Sequence, residues 1–165
     1  MQNLRIVKHQ DVSDDEVLRI CNIKSAFGAY SIESQEEWMD NHLKNNDIHF
    51  LLYENNELIA YLNLIDIHIS INSELINAYG IGNVCSKING RGYGKKLLLE
   101  LNNFLLSNNK IAYLFCKDSL VDFYKKYNWI LLKNDNSKII QNDIKSMLFN
   151  FSGEIDCLEY RGDLF

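Results

Sequence analysis

The stretch Val84-Cys85-Ser86-Lys87-Ile88-Asn89-Gly90-Arg91-Gly92-Tyr93-Gly94-Lys95-Lys96-Leu97-Leu98 decides the fold, because an apolar strand end, a glycine-rich turn and an amphipathic helix follow one another without a break. Gly90, Gly92 and Gly94 let the backbone turn tightly and bring its N–H groups against a ligand. The positive end of the following helix dipole favours an anion at the same place. Arg91, Lys95 and Lys96 add charge of the matching sign, so the stretch reads as a phosphate cradle.

Spacing excludes two ligand classes. A Walker loop needs a hydroxyl residue after Gly-Lys to reach Mg²⁺, and Gly94-Lys95 is followed by Lys96. A dinucleotide fingerprint needs its third glycine three residues after the second, where Leu97 would fall if Gly92 and Gly94 were the first pair. Alone, the stretch is also compatible with a plain turn before an ordinary helix.

Working downstream, Leu97, Leu101 and Leu105 recur at four-residue intervals, with Leu98 and Phe104 flanking. One face of this helix is expected to pack, leaving the side with Lys95, Asn102 and Asn103 wet. Ile111–Cys116 reads as a buried strand. Asp118 or Ser119 is expected to cap a short helix, Leu120–Trp129, which ends at Asn128, a residue that tolerates the left-handed conformation. Ile130–Leu132, a polar loop over Lys133–Asn142 and a strand Met147–Phe151 follow.

Upstream, Leu4–Val7 reads as a strand, and Asp14–Phe27 and Gln35–Leu43 as helices. Ile48–Tyr53 and Leu58–Ile69 are expected to form an antiparallel hairpin about Glu54-Asn55-Asn56-Glu57, and Ile76–Cys85 is the strand that feeds the glycine turn.

A length of 165 residues implies one domain over 1–165, and 47% hydrophobic with 12% aromatic residues suffices for a packed core. Net charge -5 argues against nucleic acid as the main partner and favours a cationic small molecule. Cys21, Cys85, Cys116 and Cys157 form no Cys-x-x-Cys pair, which suits free thiols in a reduced compartment. His9, His42, His49 and His68 have no metal-ligand spacing and read as surface or satisfied core residues, so no metal is expected. With no apolar leader and no membrane-length run, a cytoplasmic location is expected and a membrane partner is not.

The glycine turn resembles the (Gln/Arg)-x-x-Gly-x-Gly/Ala pyrophosphate loop of the Gcn5-related N-acetyltransferases, the GNAT family, with Asn89 at the Gln/Arg position. Phe123-Tyr124 through Asn128-Trp129 resembles that family's Phe-Tyr-x-x-x-Gly-Phe motif, and the element order agrees. The resemblance implies an α/β (α+β) GNAT fold: a central mixed, mostly antiparallel sheet with splayed parallel strands four and five, flanked by helices. It implies acetyl-CoA as cofactor, with pantetheine near Val84 and Cys85 and pyrophosphate on the loop of Asn89, Gly90, Arg91, Gly92, Tyr93, Gly94 and Lys95. Lys117 stands where many members have an Asn.

The implied chemistry is direct transfer: an unprotonated amine attacks the thioester carbonyl, a backbone N–H of strand four steadies the oxyanion, and Tyr124 protonates the leaving thiolate. A phenol with a pKa near 10 stays protonated at neutral pH and can serve a thiolate of pKa near 8.5. A covalent route through Cys85 or Cys116 lacks a base placed by sequence beside either. Strand four, Ala78-Tyr79-Gly80-Ile81-Gly82-Asn83-Val84, has Gly80 where many members carry a catalytic Glu. Glu33, Glu36, Glu37, Glu74, Asp163 and the carboxylate of Phe165 are candidate bases, or water suffices for an amine of depressed pKa.

Nearly the whole chain is similar in order to the aminoglycoside 2′-N-acetyltransferases, from Trp38 to the ending Tyr160-Arg161-Gly162-Asp163-Leu164-Phe165. That likeness assigns Glu33, Asp163 and Phe165 to the acceptor and makes a small cationic amine, an aminoglycoside first, the expected substrate. Polyamines, amino acids and protein N-termini are alternatives, as is a non-catalytic acyl-CoA sensor. A homodimer is among the assemblies the likeness allows.

Overall fold

The structure, a computed structural model, describes residues 1–26, 28, 30–140 and 143–165. Phe27, the expected helix end, and Gln141 and Asn142 of the expected polar loop lie outside the described residues. The chain divides into two compact units, 1–65 with 83–101, and 66–82 with 102–165.

In the first unit, β1 (Gln2–Lys8) pairs antiparallel with β2 (Ile48–Glu54), which pairs antiparallel with β3 (Glu57–Ile71). Asn55 and Asn56 hold φ of 50° and 65°, the left-handed pair of a two-residue hairpin turn, so the expected hairpin forms for the expected reason. Helix α1 (Asp14–Ser25) starts at a reciprocal cap in which Glu16 N donates to Ser13 and Ser13 N donates to Glu16. Helix α2 (Ile32–His42) is capped by Ser31 and begins three residues before the expected start. Ile20, Cys21, Ile23, Met39, Leu51, Leu58 and Tyr61 form the core of this unit.

The last residues of β4 (Glu74–Ser86) and the start of α3 (Tyr93–Ser107) also belong to the first unit; the rest of β3, β4 and α3 belong to the second. There β4 pairs parallel with β5 (Ala112–Lys117) through Tyr79↔Ala112, Gly80↔Tyr113 and Ile81↔Leu114. Strand β7 (Ile144–Phe149) pairs antiparallel with β5 and with the short β6 (Ile130–Leu131). The strand order is β1-β2-β3-β4-β5-β7-β6. A further strand, β8 (Leu158–Glu159), pairs antiparallel with β3. This mixed, mostly antiparallel sheet with one parallel pair and flanking helices is the expected architecture.

Two local expectations are corrected. Neither Asp118 nor Ser119 caps a helix: a 3-10 turn, Asp118–Leu120, leads into α4 (Val121–Lys125) without a side-chain cap, and the chain leaves the helix well before Trp129. Asn102 is not on a wet face but buried on α3. Leu97, Leu101 and Leu105 are buried as expected, and Asn102, four residues after buried Leu98, extends that stripe.

Candidate functional site

In the first unit β4 hands the chain to the glycine turn, and Lys87 N donates to Ile59 O at 2.8 Å as the strand ends. Gly90 and Gly92 hold φ of +82° and +77°, which L side chains rarely adopt, and a Cβ on Gly90, Gly92 or Gly94 would meet no atom within 4 Å. Lys96 N donates to Gly92 O at 3.0 Å, so Gly92 is the last residue before α3 and the amides of Tyr93, Gly94 and Lys95 have no acceptor inside the helix. Open space, glycines in the left-handed region and amides without a helical acceptor at the start of a 15-residue helix fit a pyrophosphate.

Side chains divide the labour. Arg91 and Lys95 are exposed and make no hydrogen bond or ion pair among the described residues, leaving their charge for a ligand. Tyr93 is buried and its hydroxyl donates to Glu54 Oε2 at 2.8 Å. Gln2 Nε2 donates to Glu54 Oε1 at 2.7 Å, and Gln2 Oε1 accepts from Lys96 Nζ at 2.7 Å. The Gln2 amide first, and the Tyr93 phenol second, hold the Glu54 carboxyl below its ordinary value. This chain of contacts fastens the turn to β1 and β2, so Tyr93 anchors the loop through its ring and hydroxyl.

Just before the turn, Asn83 takes φ +53° inside β4, an irregularity that redirects the strand. Its Nδ2 donates to Asn63 Oδ1 at 2.8 Å, while Asn63, fully buried on β3, keeps an Nδ2 with no partner. Val84 is exposed and Cys85 half-buried. Burial pushes the Cys85 thiol up to about 12, with nearby Lys24 opposing, and pushes Cys116 up to about 11. Thiols so raised are protonated at neutral pH and make poor nucleophiles.

In the second unit α4 carries Tyr124, 5% exposed, with its ring edge-on to Phe123 and Trp129. Burial first, and the Cys116 thiol second, raise its phenol above the ordinary value. The hydroxyl has no hydrogen-bond partner among the described residues. Tyr124 therefore presents an available, protonated donor. Asn128, at φ 66°, turns the chain so that Trp129 buries its indole.

Asn102 holds that turn. Its Nδ2 donates to Tyr127 O at 2.9 Å and its Oδ1 accepts from Trp129 Nε1 at 3.0 Å. Asn102→Leu strands a buried indole N–H and a backbone carbonyl, so urea unfolding should reveal a loss of about 2–4 kcal/mol; a loss below about 0.5 kcal/mol would show the two contacts to be idle.

The C-terminal residues are fastened rather than trailing. Asn72 and Ser73 form a second left-handed turn between β3 and β4, and Asn72 Oδ1 accepts from Asp156 N and Cys157 N at 2.8 and 3.1 Å. Tyr160 Oη donates to the backbone O of Asp163 at 2.8 Å; the Asp163 side chain is exposed. Phe165 lies against Tyr113, Phe115 and Tyr160, with ring centroids 6.3, 5.5 and 5.5 Å away. It also covers Gly80: a Cβ there would come within 2.8 Å of the ring. The glycine at that strand position thus has a packing reason. Gly80→Val should eject Phe165 and cost about 1–3 kcal/mol. In a Phe165→Ala background the same substitution should cost at most half as much, and equal costs in both backgrounds would break the explanation.

Glu33 sits exposed in the first turn of α2, in the first unit, its carboxyl held low first by its own backbone amide and then by the Ser31 hydroxyl. Glu36, Glu37 and Glu74 are partly or wholly exposed. In the second unit an open groove of about 550 Å³ is lined in part by Asp66, His68, Ser70, Glu159 and Arg161.

Sequence spacing missed one cluster entirely. His49, wholly buried on β2, faces His9 Nδ1 through Nε2 at 3.0 Å and Tyr61 Oη through Nδ1 at 2.8 Å. The two histidines are thus neither scattered nor independent. Burial first, then His9, brings the His49 imidazole down to about 4. Because the unfolded chain binds that proton near 6.5, stability is complete above pH 6.5 and falls as pH drops toward 4, by up to about 3 kcal/mol before screening. Melting temperatures between pH 7 and 4.5 should fall less steeply for His49→Gln; parallel curves would exclude the imidazole as the cause.

Residues 9–132 match the acetyltransferase (GNAT) domain family, and the chain belongs to it. By that membership it is an acyltransferase, an N-acetyltransferase with acetyl-CoA as cosubstrate. No curated protein matches the sequence. Among solved structures it is similar to ElaA of Escherichia coli, at 19% identity over 90% of this chain and 99% of that one, TM-score 0.66. An acyl-CoA N-acyltransferase from Pseudomonas aeruginosa gives 18% over 90% and 99%, TM-score 0.68. The GNAT protein YhbS of Escherichia coli, solved in complex with CoA, gives 10% over 97% and 89%, TM-score 0.69. Such identities speak for the fold alone.

Proposed function

We infer that the whole chain, 1–165, is one N-acetyltransferase domain that moves acetyl from acetyl-CoA to an amine of a small cationic acceptor, with an aminoglycoside as the first candidate. The observation that carries the donor half is the glycine turn, where two positive-φ glycines open onto free space at the start of α3. Gly90, Gly92 and Gly94 give the backbone amides access to pyrophosphate, and Arg91 and Lys95 neutralise it. Val84 and Cys85 offer strand backbone to pantetheine, and Asn89 opens the loop.

Bound acetyl-CoA supplies an acetyl thioester, an acyl donor with a thiolate leaving group. The chain's own residues do the rest. A backbone N–H of β4 donates to the carbonyl oxygen as the amine attacks, Tyr124 Oη gives its proton to the departing sulfur, and the proton released by the amine nitrogen passes to water, from which Tyr124 regains one. Support for Tyr124 lies in its hydroxyl, which makes no hydrogen bond among the described residues, and in the burial of the residue, which keeps the phenol protonated. Support for a cationic acceptor lies in the net charge of -5 and in the likeness of the ending to the aminoglycoside 2′-N-acetyltransferases, which points to Asp163, Phe165 and Glu33. Four free thiols suit a reducing, cytoplasmic setting. No helix among the described residues is long and apolar enough to cross a membrane.

Acetyl-CoA-dependent thiol release over aminoglycosides, polyamines and amino acids tests the reading. Release above hydrolysis with an aminoglycoside is expected. Thermal stabilisation by acetyl-CoA without release on any amine would leave an acyl-CoA sensor instead.

A further inference from the structure

The proposed transfer needs an amide of β4 at the thioester carbonyl, and what aims that amide rests on the same reading. Backbone alternation along β4 breaks at one place. Tyr79 N donates to Ile111 O, on the β5 side, at 2.9 Å, whereas Lys87 N donates to Ile59 O of β3 at 2.8 Å. Both positions are odd, so in an unbroken strand their amides would point to the same neighbour. One extra residue therefore lies between them, and Asn83 is the residue from 79 to 87 with a positive φ, +53°. The ladder to β5 ends at Ile81↔Leu114, and Val84, just past the bend, is exposed. The amides at the bend thus fall where β4 has no strand beside it on that edge among the described residues.

A side chain grips this bend. Asn83 Nδ2 donates to Asn63 Oδ1 at 2.8 Å, and Asn63 is wholly buried on β3, its own Nδ2 without a partner among the described residues. A bend alone asks only for glycine, which takes a positive φ without strain, and Gly82 stands next to it. Asn83 takes the left-handed form at some cost and brings an amide that reaches Asn63. Asn63 in turn interrupts the buried apolar run Leu62-Asn63-Leu64 and leaves a buried donor unpaired, where leucine would pack without that loss. Two departures from local preference meet at one contact, as they do where function overrides stability.

We propose that Asn63 is a positioning residue of the transferase: by holding Asn83 it fixes the bulge in β4, and with it the direction in which the amides at the bend meet the carbonyl of bound acetyl-CoA. Asn63 itself touches no reactant. The carbonyl oxygen gains negative charge as the amine attacks, and a donor fixed beforehand stabilises that charge without reorganising. Asn63, Asn83 and the glycine turn all belong to the first unit, so the bend and the pyrophosphate cradle share one compact frame.

Infrared spectra of acetyl-CoA carrying ¹³C at the carbonyl, bound to the full chain, read the aim of the donor. The bound band should lie below that of free acetyl-CoA, as a hydrogen bond to the oxygen requires, and Asn63→Leu should move it back toward the free position. In thiol-release assays with spermidine and kanamycin, Asn63→Leu should lower kcat about tenfold to a hundredfold with the acetyl-CoA KM within about twofold. Asn83→Gly keeps the backbone conformation and loses the grip; it should lower kcat by a similar factor, and the double variant no further. The melting temperature of Asn63→Leu should not fall, because the unpaired donor leaves with the amide. A brace without a part in the reaction would give the reverse, lost stability with the parental band and kcat. Folded variants with the parental band and kcat would overturn the role of Asn63 alone, whereas an unaltered protein that releases no thiol with any amine would sink the transfer reading and this role with it.

Discussion

Gly92→Val is expected to weaken acetyl-CoA binding at least about a hundredfold, a loss near 2.7 kcal/mol, while the domain still folds. Gly92 holds φ +77°, where a β-branched residue is strained by about 1–3 kcal/mol, so the melting temperature should also fall. The larger effect concerns the ligand. A side chain at Gly92 would project into space that holds no protein atom within 4 Å, the space a pyrophosphate needs to reach the amides of Tyr93 and Gly94. Gly94→Ala separates the two contributions, since its φ is not positive and its Cβ also meets nothing. It should weaken binding with little loss of stability. Calorimetric titration decides: an unchanged acetyl-CoA Kd in Gly92→Val would remove the cradle from the cofactor site.

Tyr124→Phe should lower kcat by about a hundredfold to a thousandfold and leave the acetyl-CoA KM within about twofold. Its hydroxyl makes no hydrogen bond among the described residues, so removing it should leave the melting temperature little changed. That separation distinguishes a proton donor from a packed aromatic, because a structural tyrosine would lose stability first. Burial holds the phenol above its ordinary value, so Tyr124 stays protonated through the assay range and should add no alkaline limb to the pH profile below about pH 10. A kcat equal to that of the unaltered protein would take Tyr124 out of the reaction.

The parts of the molecule legible in sequence are those governed by neighbours along the chain. Glycines at Gly90 and Gly92 announce a backbone that must turn left-handed, Asn55-Asn56 announces a hairpin, and Leu97, Leu101 and Leu105 announce a buried helix face. What sequence concealed depends on register between distant strands. His9 and His49 are forty positions apart and meet because β1 and β2 pair Val7 with His49. Gly80 looks like a missing carboxylate until Phe165 is found above it. Asn102 shows that polarity is no guide to exposure where partners wait inside, and its place four residues after Leu98 puts it on the packed stripe.

Asn72 carries one more implication. A single side chain at the β3–β4 turn receives two amides of the descending tail, and the tail's own strand pairing is through backbone atoms. The residues beyond it are held by their own side chains as well, Phe165 over Gly80 and Tyr160 beside Phe115. If Asp163 selects the acceptor, exposed between the packed Tyr160 and Phe165, a lineage could retune its substrate at that one position and leave the glycine turn and Tyr124 under separate selection.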